Sequence, residues 1–192
     1  MKKYTQNWNQ EFIENTKQFV ERRFNLCLEI GSYEGLTSNY IVDNILTNEG
    51  KLICIDPLTD NYLNDNLTDK DIDMNMNNDF FNGQYDRFVN NVKEHLESDK
   101  IELIRDLSIN VFEDLINKYK GKFDFIYIDG DHRPEGVYID SINSFKLCKS
   151  GGYILFDDYK WANTGEGIDR FLNENDGHDI ILKGEQVLIL KK

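Results

Sequence analysis

Two short stretches carry most of the chemistry this chain could perform: Asp129-Gly130-Asp131-His132 and Asp157-Asp158-Tyr159. Asp129, Asp157 and Asp158 form an incomplete set of hard oxygen ligands. Such a set suits Mg²⁺, or else Mn²⁺ or Ca²⁺, with the remaining coordination positions left to water and substrate. Asp131 follows Asp129 on the same turn, where it can sit beside an ion without binding it and act as a general base. His132 has three open roles: metal ligand, base, or cap of the turn. Carboxylates gathered this densely are costly unless a cation or a reaction uses them.

Each cluster ends an apolar run, Phe123–Ile128 and Tyr153–Phe156, of the kind expected for a strand buried on both faces. Between them, 134–149 has helical spacing, with Val137, Ile139, Ile142, Phe145 and Leu147 available for an inner face. Strand, helix, strand implies a right-handed parallel crossover, so both clusters reach one edge of a sheet. Open α/β sheets bind ligands at that edge.

A second ligand-binding half lies upstream. The strand Leu26–Ile30 runs into Glu29-Ile30-Gly31-Ser32-Tyr33-Glu34-Gly35, followed by a helix over 36–46. Glycines let the backbone pass close to a ligand, and the helix start offers free N–H groups. A dinucleotide fingerprint needs a third glycine, and Ser32-Tyr33 stands in its place. Glu29 suits an ammonium or hydroxyl group better than a pyrophosphate. Asp56, closing a second strand at 51–55, can accept both hydroxyls of a ribose. Asp106 and Ser108, after a third strand at 101–104, lie where an adenine edge would be read, and Ser108 is equally suited to cap the helix at 109–119.

The 192 residues suit one domain, over 1–192, with a helix over 8–24 at its start and a lid or insertion over 58–83. A net charge of −13 without a basic stripe argues against a nucleic-acid partner. No apolar run approaches the roughly 20 residues that span a bilayer, and no signal peptide is evident, so a cytoplasmic protein is expected. Cys27, Cys54 and Cys148 read as buried free thiols. Asp71, Asp73, Asn75, Asn77 and Asp79 imitate a calcium loop, but Met76 stands where the turn needs glycine, so a polar lid is the better reading. His95 and His178 read as structural or surface residues. The chain closes with two β-rich runs, 179–183 and 186–190, across Gly184-Glu185, which predicts an antiparallel hairpin.

Taken together, E-I-G-S-x-x-G, I-D-P, Y-I-D-G-D-H and G-G-Y-I-L-F-D-D-Y, closed by a hairpin, resemble the class I S-adenosylmethionine-dependent methyltransferases. Within that class they look most like the metal-dependent macrocin-type sugar O-methyltransferases. The resemblance implies an α/β fold, a Rossmann-like three-layer sandwich with a seven-stranded sheet of order 3-2-1-4-5-7-6 and an antiparallel strand 7. It places Glu29, Gly31, Ser32 and Gly35 around the methionine end of the donor S-adenosyl-L-methionine, Asp56 at its ribose, and Asp106 and Ser108 at its adenine. It gives Asp129, Asp157 and Asp158 to Mg²⁺ or a similar ion, with Asp129 also facing the donor, and makes Asp131 the base beside His132. The acceptor it implies is a small molecule, a sugar or sugar nucleotide. Neighbouring oxygens would chelate the ion, so a vicinal diol is expected and a catechol is the alternative, with Tyr159 and Trp161 as pocket walls. No membrane partner is expected, and a homo-oligomer is compatible with this reading. An NAD-dependent sugar oxidoreductase would carry three glycines and no carboxylate cluster. A non-catalytic donor-binding interaction domain would have lost some of the four aspartates.

Overall fold

The computed structural model describes residues 2–59, 82–161 and 163–192. Its strands are β1 (Phe24–Ile30), β2 (Leu46–Ile55), β3 (Ile101–Ile104), β4 (Phe123–Ile128), β5 (Cys148–Phe156), β6 (His178–Lys183) and β7 (Val187–Lys191). They form one seven-stranded sheet in the order β3-β2-β1-β4-β5-β7-β6. Neighbours from β3 to β5 are parallel, whereas β7 runs antiparallel to both β5 and β6. This is the expected architecture, hairpin included.

Burial explains the apolar runs. Every residue of β4 is buried. Phe125 and Tyr127 point into a core with Phe12, Phe19 and Phe88 on one side of the sheet. Ile126 and Ile128 join Phe112, Phe171 and Phe156 on the other. A strand covered on both faces has no polar alternation to display.

The helices flanking the site are α1 (Gln10–Thr16), α2 (Leu36–Tyr40), α3 (Gln84–Asn91), α4 (Lys93–Glu97), α5 (Ser108–Tyr119), α6 (Pro134–Leu147) and α7 (Thr164–Glu174). Several are shorter than periodicity predicts. The amino-terminal helix expected over 8–24 covers only α1 and a 3₁₀ turn, Lys17–Phe19. Thr16 Oγ donates back to the Phe12 carbonyl at 2.6 Å, a bond that bends helices, and β1 already begins at Phe24. After α2 the chain widens into a π turn, Ile41–Ile45, and β2 starts at Leu46, with Glu49-Gly50 at a strand irregularity. Between α3 and α4 the helix breaks at buried Val92. Most of the expected lid, including the calcium-like spacing over 71–79, lies outside the described residues.

Chain order reverses between β1 and β4, which are hydrogen-bonded neighbours. The crevice at their carboxyl ends is where a doubly wound sheet opens to a ligand. Among the described residues no helix is long and apolar enough to cross a membrane.

Candidate functional site

A cavity of about 790 Å³ opens at that crevice. Its floor is the turn from β1 into α2. Gly31 has φ +84°, and a Cβ there would stand 1.9 Å from the Asp129 carbonyl oxygen, so the two central strand ends touch only because residue 31 has no side chain. Gly35, at φ +77°, caps α2, and its Cβ would meet Val92 Cγ1 at 2.5 Å. Gly31 and Ser32 line the cavity. Gly35 serves packing against α3 instead. Glu29 lies beneath the turn, fully buried, where Ser32 Oγ donates to Oε2 at 2.7 Å and Ser38 Oγ donates to the same oxygen. Burial pushes its carboxyl up to about 7, with the serine hydroxyls pulling the other way. Glu29 therefore fixes the turn from below.

Asp56 lines the cavity and clamps the same turn. Its Oδ2 accepts from the Ser32 and Tyr33 amides at 2.7 and 2.8 Å, and its Oδ1 from the Leu58 amide at 2.7 Å. Oδ2 is thus occupied by two bonds, whereas Oδ1 keeps lone-pair capacity for a hydroxyl. Asp106 Oδ1 accepts from the Leu107 amide and from Asn110 Nδ2, both at 2.7 Å. Ser108 does not cap α5. The cap position is Leu107, without a side-chain bond, and Ser108 Oγ reaches across to Asp140 Oδ1 on α6 at 2.6 Å. Asp140 is 2% exposed, and burial raises its carboxyl to about 7 against the Ser108 bond. The sequence reading missed it. The available signal was a charged residue on the stripe of α6 that also buries Val137, Ser141 and Ser144.

The carboxylate clusters meet as expected at the ends of β4 and β5, but with a division of labour that spacing does not reveal. Asp129, His132 and Asp158 offer ligand atoms within 4.8 Å of one another. His132 Nε2 lies 3.0 Å from Asp158 Oδ2 and 3.7 Å from Asp129 Oδ1. Desolvation alone would lower the imidazole, but the bonds to Asp129 and Asp158 outweigh it and raise it to about 10. Desolvation, then the neighbouring Asp157, holds Asp129 well above the usual carboxylate range. Asp157 is held from three sides: Oδ1 accepts from the Asp158 amide at 2.8 Å and Gln186 Nε2 at 3.0 Å, and Oδ2 accepts from the Tyr127 hydroxyl. Gln186 in turn accepts from Asn15 Nδ2 on α1, so this carboxylate is oriented by a relay from three parts of the chain. Asp158 sits at φ +52°, a strained conformation for a residue with a side chain.

Asp131 pairs with Arg133, which approaches both carboxylate oxygens through Nε at 3.0 and 3.1 Å, adds Nη2 at 2.5 Å, and gives Oδ1 its amide at 2.8 Å. Trp161 lines the cavity with its ring edge-on to His132, centroids 4.7 Å apart. Tyr159 is directed elsewhere, its hydroxyl donating to Asp169 at 3.0 Å.

A further wall is the amino-terminal segment before α1, whose Tyr4, Gln6 and Trp8 line the cavity. Lys3 exchanges two bonds with Asn91, both 2.7 Å. Thr5 gives its amide to Glu34 Oε2 at 2.6 Å, Arg87 binds Glu34 from α3, and Trp8 stacks on Tyr33 at 5.9 Å. The three cysteines are free and buried, as expected. His95 lies 3.3 Å from Asp43, and His178 stacks on Phe171 at 6.0 Å, both outside the cavity.

Residues 28–159 match the family described as methyltransferase domain. A curated relative, the uncharacterized protein R132 of Acanthamoeba polyphaga mimivirus, is 28% identical over 148 residues, which are 77% of this chain and 58% of that protein. The chain thus spans less than two thirds of that relative's length. Among solved structures, the O-methyltransferase from Bacillus cereus in complex with SAH superposes with a TM-score of 0.67 at 16% identity, over 98% of this chain and 84% of that one. The O-methyltransferase TomG from Streptomyces achromogenes, in complex with SAM, gives 0.66 at 15% identity over 91% and 76%. The SAH-bound methyltransferase PaMTH1 of Podospora anserina gives 0.60 at 18% over 95% and 76%. At these identities the likeness is one of fold.

Proposed function

Because the chain belongs to the methyltransferase-domain family, we propose that it transfers a methyl group from S-adenosylmethionine to a hydroxyl of a vicinal-diol small molecule, a sugar in the first instance, with a divalent cation. The observation that carries this reading is one continuous cavity bounded by the glycine turn, Asp56 and Ser108 at one side and by Asp129, His132 and Asp158 at the other. A donor and an acceptor bound at these two sides would meet between them, which is the positioning that in-line transfer needs.

The carboxylates fit a cation on the chemistry of the donor set. Asp129 and Asp158 already hold the His132 imidazole between them, and their oxygens lie close enough to share one ion. A bound Mg²⁺ would supply a lowered pKa for the acceptor hydroxyl. The protein's own residues do the rest. Tyr127 and Gln186 hold Asp157, the glycine turn binds the donor, and Asp131 or His132 takes the proton.

The test is methyl transfer from labelled S-adenosylmethionine into a panel of sugars, sugar nucleotides and catechols, with Mg²⁺ or with EDTA. Turnover that survives EDTA unchanged removes the metal from the proposal. Failure of S-adenosylhomocysteine to bind by calorimetry removes the donor.

A further inference from the structure

The amino-terminal helix takes part in the cation end of the site without touching it. Its first turn belongs to the cavity wall, which includes Asn9 and Glu11. Further along α1, Asn15 donates Nδ2 to Gln186 Oε1 at 2.8 Å. Gln186, the residue before β7, is 1% exposed, and its Nε2 donates in turn to Asp157 Oδ1 at 3.0 Å. Backbone bonds fix where that side chain starts. The Tyr159 amide donates to the Glu185 carbonyl and the Gly184 amide to the Gln186 carbonyl, both at 2.8 Å. The turn between β6 and β7 is therefore pinned to the loop that carries Asp157 and Asp158.

A carboxamide has a donor end and an acceptor end of nearly the same shape. An ionised carboxylate only accepts, so Asp157 needs the NH₂ end of Gln186. That choice leaves the Gln186 carbonyl in a buried place, where an oxygen without a donor is unfavourable. Asn15 supplies the donor. Asn15, Gln186 and Asp157 thus form a chain with one direction, donor to acceptor at each step, ending in the carboxylate. Asp157 Oδ1 is filled by Gln186 and by the Asp158 amide at 2.8 Å. Oδ2 accepts from the Tyr127 hydroxyl and keeps lone-pair capacity for a cation.

We infer that Asn15 is a positioning residue for the cation site: by fixing which end of the Gln186 amide faces Asp157, it keeps Asp157 Oδ2 available to the ion. This rests on the cation reading above and adds a residue of α1 to it. Neither Asn15 nor Gln186 lines the cavity, so what they contribute is orientation. Partners that orient a metal ligand in this way are worth about 10- to 100-fold in metal affinity.

The experiment titrates Mn²⁺ into the full chain by electron paramagnetic resonance, with S-adenosylhomocysteine calorimetry and a thermal melt on each variant. Asn15→Asp keeps the size of the side chain and replaces its donor by an acceptor. Gln186 must then offer its NH₂ to residue 15 and its carbonyl to Asp157, so Mn²⁺ affinity is expected to fall about 10-fold or more. The added negative charge works in the opposite direction, since by charge alone the variant would bind the cation more tightly. Asn15→Leu, which only unpairs the Gln186 carbonyl, is expected to lose less. In a Gln186→Met background there is no amide to turn, and Asn15→Asp is expected to cause no further fall. Such non-additivity marks a residue that acts through another. Unchanged or tighter Mn²⁺ binding in Asn15→Asp overturns the inference. An equal fall in the Gln186→Met background overturns it too, because Asn15 would then act on the fold and not through Gln186. If the wild type binds no Mn²⁺, the cation reading fails and the inference falls with it, while S-adenosylhomocysteine binding judges the donor reading separately.

Discussion

Tyr127 donates its hydroxyl proton to Asp157 from the adjacent strand, and the same oxygen lies 3.2 Å from Asp129 Oδ2. One buried phenol on β4 thereby ties the carboxylate that ends its own strand to the carboxylate that ends β5. Partners of this kind orient metal ligands, and their loss commonly lowers metal affinity 10- to 100-fold. Tyr127→Phe is expected to weaken Mn²⁺ binding by about that factor, read by electron paramagnetic resonance titration, with little change in S-adenosylhomocysteine affinity. Unchanged Mn²⁺ affinity removes Tyr127 from the site's support.

The proton acceptor can be separated kinetically. Asp131→Asn is expected to lower the single-turnover rate by about 10²- to 10⁴-fold at saturating donor, the usual contribution of a general base. Arg133 competes for that carboxylate, so Arg133→Gln is expected to leave substantial rate and to displace the pH profile. If Asp131→Asn keeps the full rate and His132→Gln loses it, the base is His132.

Stability should fall as the solution becomes alkaline. Burial raises Glu29 and Asp140 to about 7, above their unfolded values. Between pH 4 and 7 the folded state therefore binds more protons than the unfolded chain, and its stability declines as pH rises through that window. Each tenfold difference in proton affinity between the two states is worth roughly 1.4 kcal/mol, so shifts of this direction are enough to move the melting temperature. Thermal melts are expected to show a lower Tm at pH 8 than at pH 5.5, and Glu29→Gln with Asp140→Asn is expected to flatten the difference. A Tm that rises over the same range contradicts this.

Gly31→Ala forces a side chain into a positive φ and against the Asp129 carbonyl. It should cost about 3 kcal/mol or more, seen as a large drop in denaturation midpoint or loss of soluble protein. A variant as stable as the parent would mean that the β1 and β4 ends separate freely.

The sheet was legible because β4 and the carboxyl-terminal halves of β1, β2 and β5 are buried and advertise this as mostly apolar runs. The carboxylates were legible because strand ends deliver them to one edge. Which carboxylate does what was not, since that depends on partners with no fixed spacing from them. Arg133 claims Asp131, Gln186 and Tyr127 claim Asp157, and His132 takes Asp129 and Asp158. Asp140 was hidden because a helical stripe predicts burial and says nothing of what a buried acid faces. Glu29 was placed in the site by its neighbours in sequence, yet a strand residue points to the face opposite its successor, and that face lies under the turn.

The contacts of Lys3 and Thr5 with Asn91 and Glu34 have a kinetic consequence. They make one rim of the cavity a seam between the amino-terminal residues and the glycine turn, closed by a handful of polar bonds. A ligand leaving past that rim waits for the seam to part, so its residence time is set by local fraying as well as by the contacts it makes inside. Thr5 Oγ also donates to Glu34 Oε1 at 3.0 Å, so removing that hydroxyl with Thr5→Val should loosen the seam and shorten occupancy in a stopped-flow exchange experiment. Evolution could thus tune turnover in this chain at Thr5, without touching a residue that meets the reacting atoms.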